Sequence, residues 1–388
     1  MARWFPRFIS VFTKWLLVFG LTGALRAEVD FEITPLGEGM WLHVAGHETE
    51  TWGRVTSNGL IVDEGEHVVV IDTPWGAENS RALLAWIERE IGKPVERLFV
   101  GHFHDDRLGG WEVFAERGTR VIALAETVAL AGIADGDLPA FEVLRLAPGE
   151  RATIGTVEVL YPGRAHTSDN VVMWLPESGI LVGGCAVRAE AARGMGNTAD
   201  ATVAEWAASM RRVQQAYPDA RRVVPGHGKV GDVGLLTHTI ALAEAAATEA
   251  AVASIGSVLD AFHVAAGAAD FDGYFGLFAE DGVFLGTDAS ERWTRAEFQA
   301  FARPYFEAGR GWLYEPVAGG RHVVVSPDGG YAWFDEALVS AAYGACRGSG
   351  VMVRTAAGWR VAQYHLTIPI PNDLAKEVVG LIRDFEAK

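Results

Sequence analysis

Gly101-His102-Phe103-His104-Asp105-Asp106-Arg107 is the stretch on which the reading of this chain turns. The mostly apolar run Arg97 to Gly101 reads as a strand that delivers the chain to His102. On the loop that follows, His102, His104 and Asp106 can converge, offering two neutral imidazoles and a carboxylate to one or two metal ions. A lone histidine is usually a packed or surface residue. Three potential ligands within five residues are hard to explain by packing. Further along stand His166 in Ala165-His166-Thr167-Ser168-Asp169-Asn170, Cys185 in Gly183-Gly184-Cys185, and His227 in Pro225-Gly226-His227-Gly228. Each lies near an expected strand end or a glycine-rich turn, where α/β folds commonly place their sites.

Around these residues, short apolar runs alternate with longer periodic ones from Phe31 to about Ala220. Gly59 to Val62 and Val68 to Asp72 read as paired strands. Leu83, Leu84, Trp86, Ile87 and Ile91 recur at helical spacing and stop before Gly92 and Pro94. Thr202 with Glu205 reads as a capping box opening a second helix, and Arg222 to Pro225 as a strand ending before His227. An alanine-rich helix from Leu235 to about Ala251 is expected to close the first domain. A second module then begins near Ala253, with helices at Ile255 to His263 and Phe271 to Phe278. A capping box at Thr294 and Glu297 follows, and Pro304 is expected to kink or end that helix. The last strand, read by strict alternation, places Trp359, Val361, Gln363 and His365 on one face and Tyr364 and Leu366 on the other. Helices followed by a strand-rich stretch suggest an α+β module.

The 388 residues are long enough for two domains, and 33 basic against 50 acidic residues give a net charge of −17. Such a chain is repelled by phosphate backbones, so no nucleic-acid partner is expected. Residues 1–27 differ from the rest. Arg3, Arg7, Lys14 and Arg26 occur there with no acidic residue, and the apolar stretch Trp15 to Leu25 precedes a small Ala27. This is the plan of a signal peptide, so export to the periplasm is expected, with no stable membrane anchor after cleavage. In an oxidising compartment Cys185 and Cys346 could instead form a disulfide. The company Cys185 keeps favours a metal ligand.

These residues, in this order, resemble the metallo-β-lactamases, in the subclass with three histidines on one zinc and Asp, Cys and His on the other. Ser57-Asn58-Gly59, Asp72-Thr73-Pro74-Trp75, Leu108-Gly109-Gly110 and Gly196-Asn197-Thr198-Ala199-Asp200-Ala201 are similar as well. The resemblance implies an αβ/βα sandwich over residues 28–252 with two zinc ions at one edge. His102, His104 and His166 would hold the first ion, and Asp106, Cys185 and His227 the second. It implies hydrolysis of the β-lactam amide bond of penicillins, cephalosporins and carbapenems, hence antibiotic resistance. Asp106 would orient the nucleophile and Asn197 stabilise the oxyanion. Arg188, where this subclass commonly has lysine, would pair with the substrate carboxylate, and Trp52 would cover the site from a mobile hairpin. Asp72 and Arg107 would position the metal-site loops. His43 and His47 match no ligand position. The same ligand set would serve a lactone, thioester or other ester, or a non-catalytic sensor. Cys185 speaks against other hydrolases of this fold, many of which carry Asp there, and the complete set with Asn197 against a sensor.

Residues 253–388 resemble SnoaL-like domains, in which a curved sheet wraps around helices to form a cone. Matching stretches are Gly286 to Trp293, Trp333-Phe334-Asp335-Glu336, Arg347-Gly348-Ser349-Gly350 and Gln363-Tyr364-His365. Asp335 and His365 could act as acid and base in a pocket. The favoured expectation is that the module supports binding or a homodimer.

Overall fold

The computed structural model describes residues 30–388, so the expected signal peptide, residues 1–27, lies outside the described residues. The first sheet has seven strands in sequence order: β1 (Phe31–Gly37), β2 (Met40–Thr49), β3 (Gly53–Asp63), β4 (Val68–Ile71), β5 (Val95–Phe99), β6 (Arg120–Leu124) and β7 (Phe141–Leu144). Helices α1 (Ala77–Glu90), α2 (Trp111–Ala115) and α3 (Ala125–Leu130) connect its strands from β4 onward. A second sheet, in the order β12-β11-β10-β9-β8, is built from β8 (Arg151–Ile154), β9 (Val157–Leu160), β10 (Val172–Leu175), β11 (Ile180–Gly184) and β12 (Arg222–Pro225). Helix α4 (Val203–Ala216) lies between β11 and β12, and α5 (Gly234–Gly267) follows β12.

Alternation along the strands sets the layers. In β4, Val68 and Val70 pack with Leu83, Leu84 and Ile87 of α1, while Val69 and Ile71 pack with Val159, Met173 and Val182 of the opposite sheet. On the far side, Leu181 and Val223 meet Trp206, Met210 and Leu236 of α4 and α5. The result is a helix–sheet–sheet–helix sandwich, as the resemblance implied.

α5 differs from expectation. Two helices were expected on either side of residue 252, but one helix of 34 residues runs through that point. Nothing in Ala241 to Ser254 breaks a helix, since the run is dominated by alanine and holds neither glycine nor proline.

Beyond α5 come α6 (Phe271–Gly276), β13 (Phe278–Leu285), β14 (Arg292–Thr294), α7 (Arg295–Glu307), β15 (Glu315–Val325), β16 (Tyr331–Ser340), β17 (Gly344–Thr355), β18 (Gly358–Thr367) and α8 (Ala375–Glu386). The strands form one six-stranded sheet whose inner face closes on α5, α6 and α7 around Phe262, Tyr274, Phe298 and Phe334. Thr294 and Glu297 make the full capping box, whereas the Thr202 side chain caps nothing. α7 runs three residues past Pro304, to Glu307.

Strict alternation fails in β18. Val361 pairs with Met352 and Gln363 with Val351, leaving Ala362 as the extra residue of a bulge. The bulge reverses the faces, so Tyr364 and Leu366 are buried together with Trp359 and Val361. Asp335 is exposed on β16, and its neighbour Glu336 is the buried carboxylate, held by His263 Nε2 at 2.7 Å, Arg321 Nε at 2.8 Å and Tyr364 OH at 2.9 Å. The expected Asp335–His365 acid–base pair therefore does not face the interior. Through His263 of α5, this network ties the sheet to the helix.

Candidate metal centre

Four loops leave the carboxyl ends of strands at one edge of the sandwich. His102, His104 and Asp106 follow β5, His166 lies between β9 and β10, Cys185 follows β11 and His227 follows β12. The six side chains meet in three overlapping groups, His102 with His104 and Asp106, His102 with His166 and Cys185, and Asp106 with Cys185 and His227. Within each group the ligand atoms lie within 4.8 Å of one another. Cys185 Sγ is 3.2 Å from both Asp106 Oδ2 and His227 Nε2. Cys185 and Cys346 are both free, so the alternative disulfide is not formed.

The far nitrogens of two rings decide which lone pairs point inward. His227 Nδ1 lies 2.7 Å from the Thr56 carbonyl, which places its proton there and leaves the Nε2 lone pair facing Cys185 and Asp106. His104 Nε2 lies 2.9 Å from Asp200 Oδ2, so Nδ1 faces His166 Nε2 at 3.2 Å with its lone pair. His102 Nε2 is buried and finds no hydrogen-bond partner among the described residues. Imidazole lone pairs, a carboxylate and a thiol thus crowd one space with few protons among them. Divalent cations fit that donor set, and the thiol makes zinc the natural one.

Electrostatics reinforces the arrangement. Burial, then repulsion from the other histidines, keeps His102 well below its ordinary pKa and pushes His166 down to about 3, so both are neutral ligands at pH 7. Burial and the nearby Arg107 also lower His227. Burial alone would raise Asp106, but Arg107, His102 and His227 together hold it below the usual carboxylate range. Burial drives the Cys185 thiol far up despite the opposing pull of Arg107. Without a cation, therefore, this cysteine stays protonated.

Arg107 is fully buried beneath the cluster. Its Nη1 donates to the Asn58 carbonyl and lies 3.3 Å from Asp72 Oδ2. Its Nη2 reaches the Gly226 carbonyl at 2.6 Å and Cys185 Sγ at 3.2 Å. Asp72, in the left-handed region at φ 62°, accepts the Gly101 amide at 2.7 Å and so fixes the start of the His102 loop. Asn58 Nδ2 donates to the carbonyls of Pro225 and Gly228, pinning the His227 loop to β3. Gly226 has to be glycine, because a Cβ there would lie 2.6 Å from Cys185 Sγ and 2.7 Å from Arg107 Nη2.

The residues expected to meet substrate sit farther out. Arg188 is half-buried, which lowers its pKa. Its amide donates to Thr239 Oγ1 of α5 at 2.9 Å, and its Nε to the Gly194 carbonyl at 3.2 Å. Asn197 is exposed, and its Oδ1 accepts the Ala199 amide at 3.1 Å. Trp52 lies at the tip of the β2–β3 hairpin, 60% exposed and outside the cluster. Three residues outside the expected set also shape the site: Asp200 holds His104, Asn58 holds the His227 loop, and His47 stacks on Trp75 with ring centroids 4.8 Å apart. Trp75 in turn lies 6.5 Å from the His227 ring. An acidic residue near the expected oxyanion donor was the one available signal, and it pointed to Asp200.

Residues 52–227 match the model of the metallo-beta-lactamase superfamily, and residues 255–371 that of the SnoaL-like domain. The chain is 37% identical over 216 residues to the metallo-beta-lactamase type 2 of Bacillus cereus, an overlap covering 54% of this chain and 81% of that protein. With the protein of the same name from Bacteroides fragilis it shares 32% over 220 residues, or 56% and 86%. Among solved structures, the Pseudomonas aeruginosa metallo-beta-lactamase FIM-1 in its mono-zinc form is similar with a TM-score of 0.52 and 31% identity, covering 56% of this chain and 97% of that one. A family pattern that spans four-fifths of its relatives' length, with a donor set suited to divalent metal, leads to one conclusion: the chain belongs to the metallo-β-lactamases, with a SnoaL-like domain appended.

Proposed function

We propose that this protein is exported to the periplasm and there hydrolyses the β-lactam amide bond with two zinc ions per chain, giving resistance to penicillins, cephalosporins and carbapenems. The convergence of His102, His104, His166, Asp106, Cys185 and His227 carries the reading. His102, His104 and His166 would hold one ion, and Asp106, Cys185 and His227 the other. When bound, the ions supply Lewis acidity and make water a nucleophile near neutral pH.

The chain's own groups do the rest. Arg188 presents a planar fork to the carboxylate of the substrate, which a lysine would grip at a single point. Asn197, on releasing the Ala199 amide, can donate to the oxygen that gains charge when the carbonyl is attacked. Asp106, an acceptor at all working pH values, orients the attacking water. Trp52 has freedom at the hairpin tip to close over an apolar substituent. Softness at Cys185 favours this reading over ester or thioester hydrolysis at a harder metal pair.

The test is turnover of a chromogenic cephalosporin and a carbapenem by purified residues 28–388, with and without a chelator. Chelator-sensitive hydrolysis of either is expected. Absence of turnover of both would remove the proposal.

A further inference from the structure

The β2–β3 hairpin leaves the first sheet as an arm. β1 pairs with β2 as far as Ala45, and β4 pairs with β3 from Leu60 onward. The ladder from Gly46 and Thr56 out to Thr49 and Gly53 therefore has no strand beside it among the described residues. Its base is fixed, because the Thr56 carbonyl lies 2.7 Å from His227 Nδ1 and the Asn58 amide donates to the Gly226 carbonyl at 2.9 Å. A two-stranded ribbon is marginally stable in water, so the arm's position depends on what holds it from the side.

Such contacts exist on both faces. Residues alternate along a strand, so His47 and Val55 look one way, and Gly46, Glu48 and Arg54 the other. On the first face His47 lies flat on Trp75, the two rings 18° from parallel. Trp75 is itself held. It sits in the left-handed region at φ 61°, between a Pro74 carbonyl that accepts Asn79 Nδ2 at 2.9 Å and a Gly76 amide that donates to the Gly109 carbonyl at 2.9 Å. With the Trp75 ring 6.5 Å from that of His227, this stack docks the arm beside the metal centre. On the second face Asp30 lies across the arm. Its carbonyl accepts the Gly46 amide at 2.8 Å. Its carboxylate reaches over β2 to Arg54 on β3 and accepts from Nε at 2.6 Å and from Nη2 at 2.8 Å. The crossing needs a bare backbone, since a Cβ at Gly46 would lie 2.1 Å from Asp30 Oδ2 and 2.8 Å from Arg54 Nη2.

We propose that Asp30 and Arg54 form a strap that keeps the β2–β3 arm docked on Trp75, and that Asp30 is thereby a positioning residue for substrate. Exposed ion pairs usually contribute little, because two flexible side chains are held for one contact. This pair is gripped at two points of a planar guanidinium and joins the chain before β1 to the far strand of the arm. Arg54 adjoins the turn that carries Trp52, so the strap acts near the tip, where a small rotation about Thr56 moves the arm most. The positioning role rests on the hydrolytic reading of the site; the strap itself does not. Its loss leaves the reacting groups in place and loosens what lies over them, so KM rises while kcat holds.

The experiment measures hydrogen exchange in the peptide covering residues 46–56, in the protein of residues 28–388 and in Asp30→Asn, Arg54→Gln and the double variant. Steady-state kinetics with a chromogenic cephalosporin accompany it. Each single variant is expected to exchange about three- to fivefold faster in that peptide, with the rest of the first sheet unchanged, and to raise KM by a similar factor. The double variant is expected to match the singles, because both act through one contact. Gly46→Ala should reproduce the loss, and should add little once Asp30→Ala has removed the carboxylate it strikes. Unchanged exchange in the single variants, or a double variant in which the two losses add, would overturn the strap. Faster exchange with an unmoved KM would overturn the positioning role. A parent that turns over no β-lactam would remove the hydrolytic reading and the positioning role with it, whereas exchange decides the strap by itself.

Discussion

Asp200 reaches His104 from 96 residues away in sequence, its Oδ2 2.9 Å from the ring Nε2. That contact selects the tautomer whose Nδ1 lone pair faces the other histidines. Replacing Asp200 with alanine frees the ring to rotate and to take the other tautomer. We expect zinc affinity at the three-histidine site to fall by about 10- to 100-fold, measured by competition with a chelating dye. Affinity unchanged in Asp200→Ala would show that His104 needs no such support.

Arg107 joins Asp72, Asn58, Gly226 and Cys185, all buried. Its removal strands two interior carboxylates, Asp72 and Asp106. Arg107→Ala is expected to cost about 3–5 kcal/mol in denaturant unfolding of the metal-free protein. A loss below about 1 kcal/mol would mean that the cluster relaxes around the missing cation.

A zinc ion at the proposed second site would have to displace the proton that burial holds on Cys185. Affinity there should therefore weaken as pH falls, by up to about tenfold per unit, while the three-histidine site, whose buried rings are already neutral, changes less. Elemental analysis of Cys185→Ser is expected to find close to one ion per chain against two in the parent. Equal metal content would contradict the assignment.

His43 is wholly buried, with Nε2 3.1 Å from the Asp72 carbonyl, and burial lowers its pKa from 6.5 to about 4. The unfolded chain thus takes up this proton first. The contribution of neutral His43 is full above about pH 6.5 and is lost as pH falls to about 4, worth up to about 3 kcal/mol. Asp72, raised to about 6 by burial, works in the opposite sense, its native state gaining as it protonates. The effect of His43 is therefore read as a difference. Thermal unfolding of the parent should fall more steeply than that of His43→Asn across this window, and parallel curves would refute the argument.

In the proposed reaction Arg188 grips the substrate carboxylate. Truncation to alanine is expected to lower kcat/KM for a bicyclic β-lactam by about 10- to 100-fold, mostly through KM, as the loss of a charge-assisted hydrogen bond predicts. A change confined to kcat would assign it a different role.

Much of the first module was legible because its chemistry is local. His102, His104 and Asp106 lie within five residues, and the other ligands sit where apolar runs stop, so the donor set could be read before any contact was known. The supporting groups were harder to see. Asp200, Asn58 and Trp75 act through contacts with distant loops, and the stretches that hold them show a likeness without showing these contacts. Periodicity misled in the second module at Ala362, where one extra residue in β18 turned Tyr364 inward and His365 away. Asp335 was chosen over Glu336 for want of the strand's phase. The domain boundary near residue 252 was placed at a change of composition that the backbone of α5 passes through unbroken.

That unbroken rod has an angular meaning. Its first turns hold the Arg188 loop through Thr239, and its last turns carry His263 into the network around Glu336. Every residue of an α-helix advances about 1.5 Å and rotates about 100°. One alanine inserted near Ala246 would scarcely lengthen the shaft, yet it would swing everything beyond by more than a quarter of a circle. Seven would bring the far end back to within about 20°. The number of alanines between the two bodies therefore acts as a compass bearing.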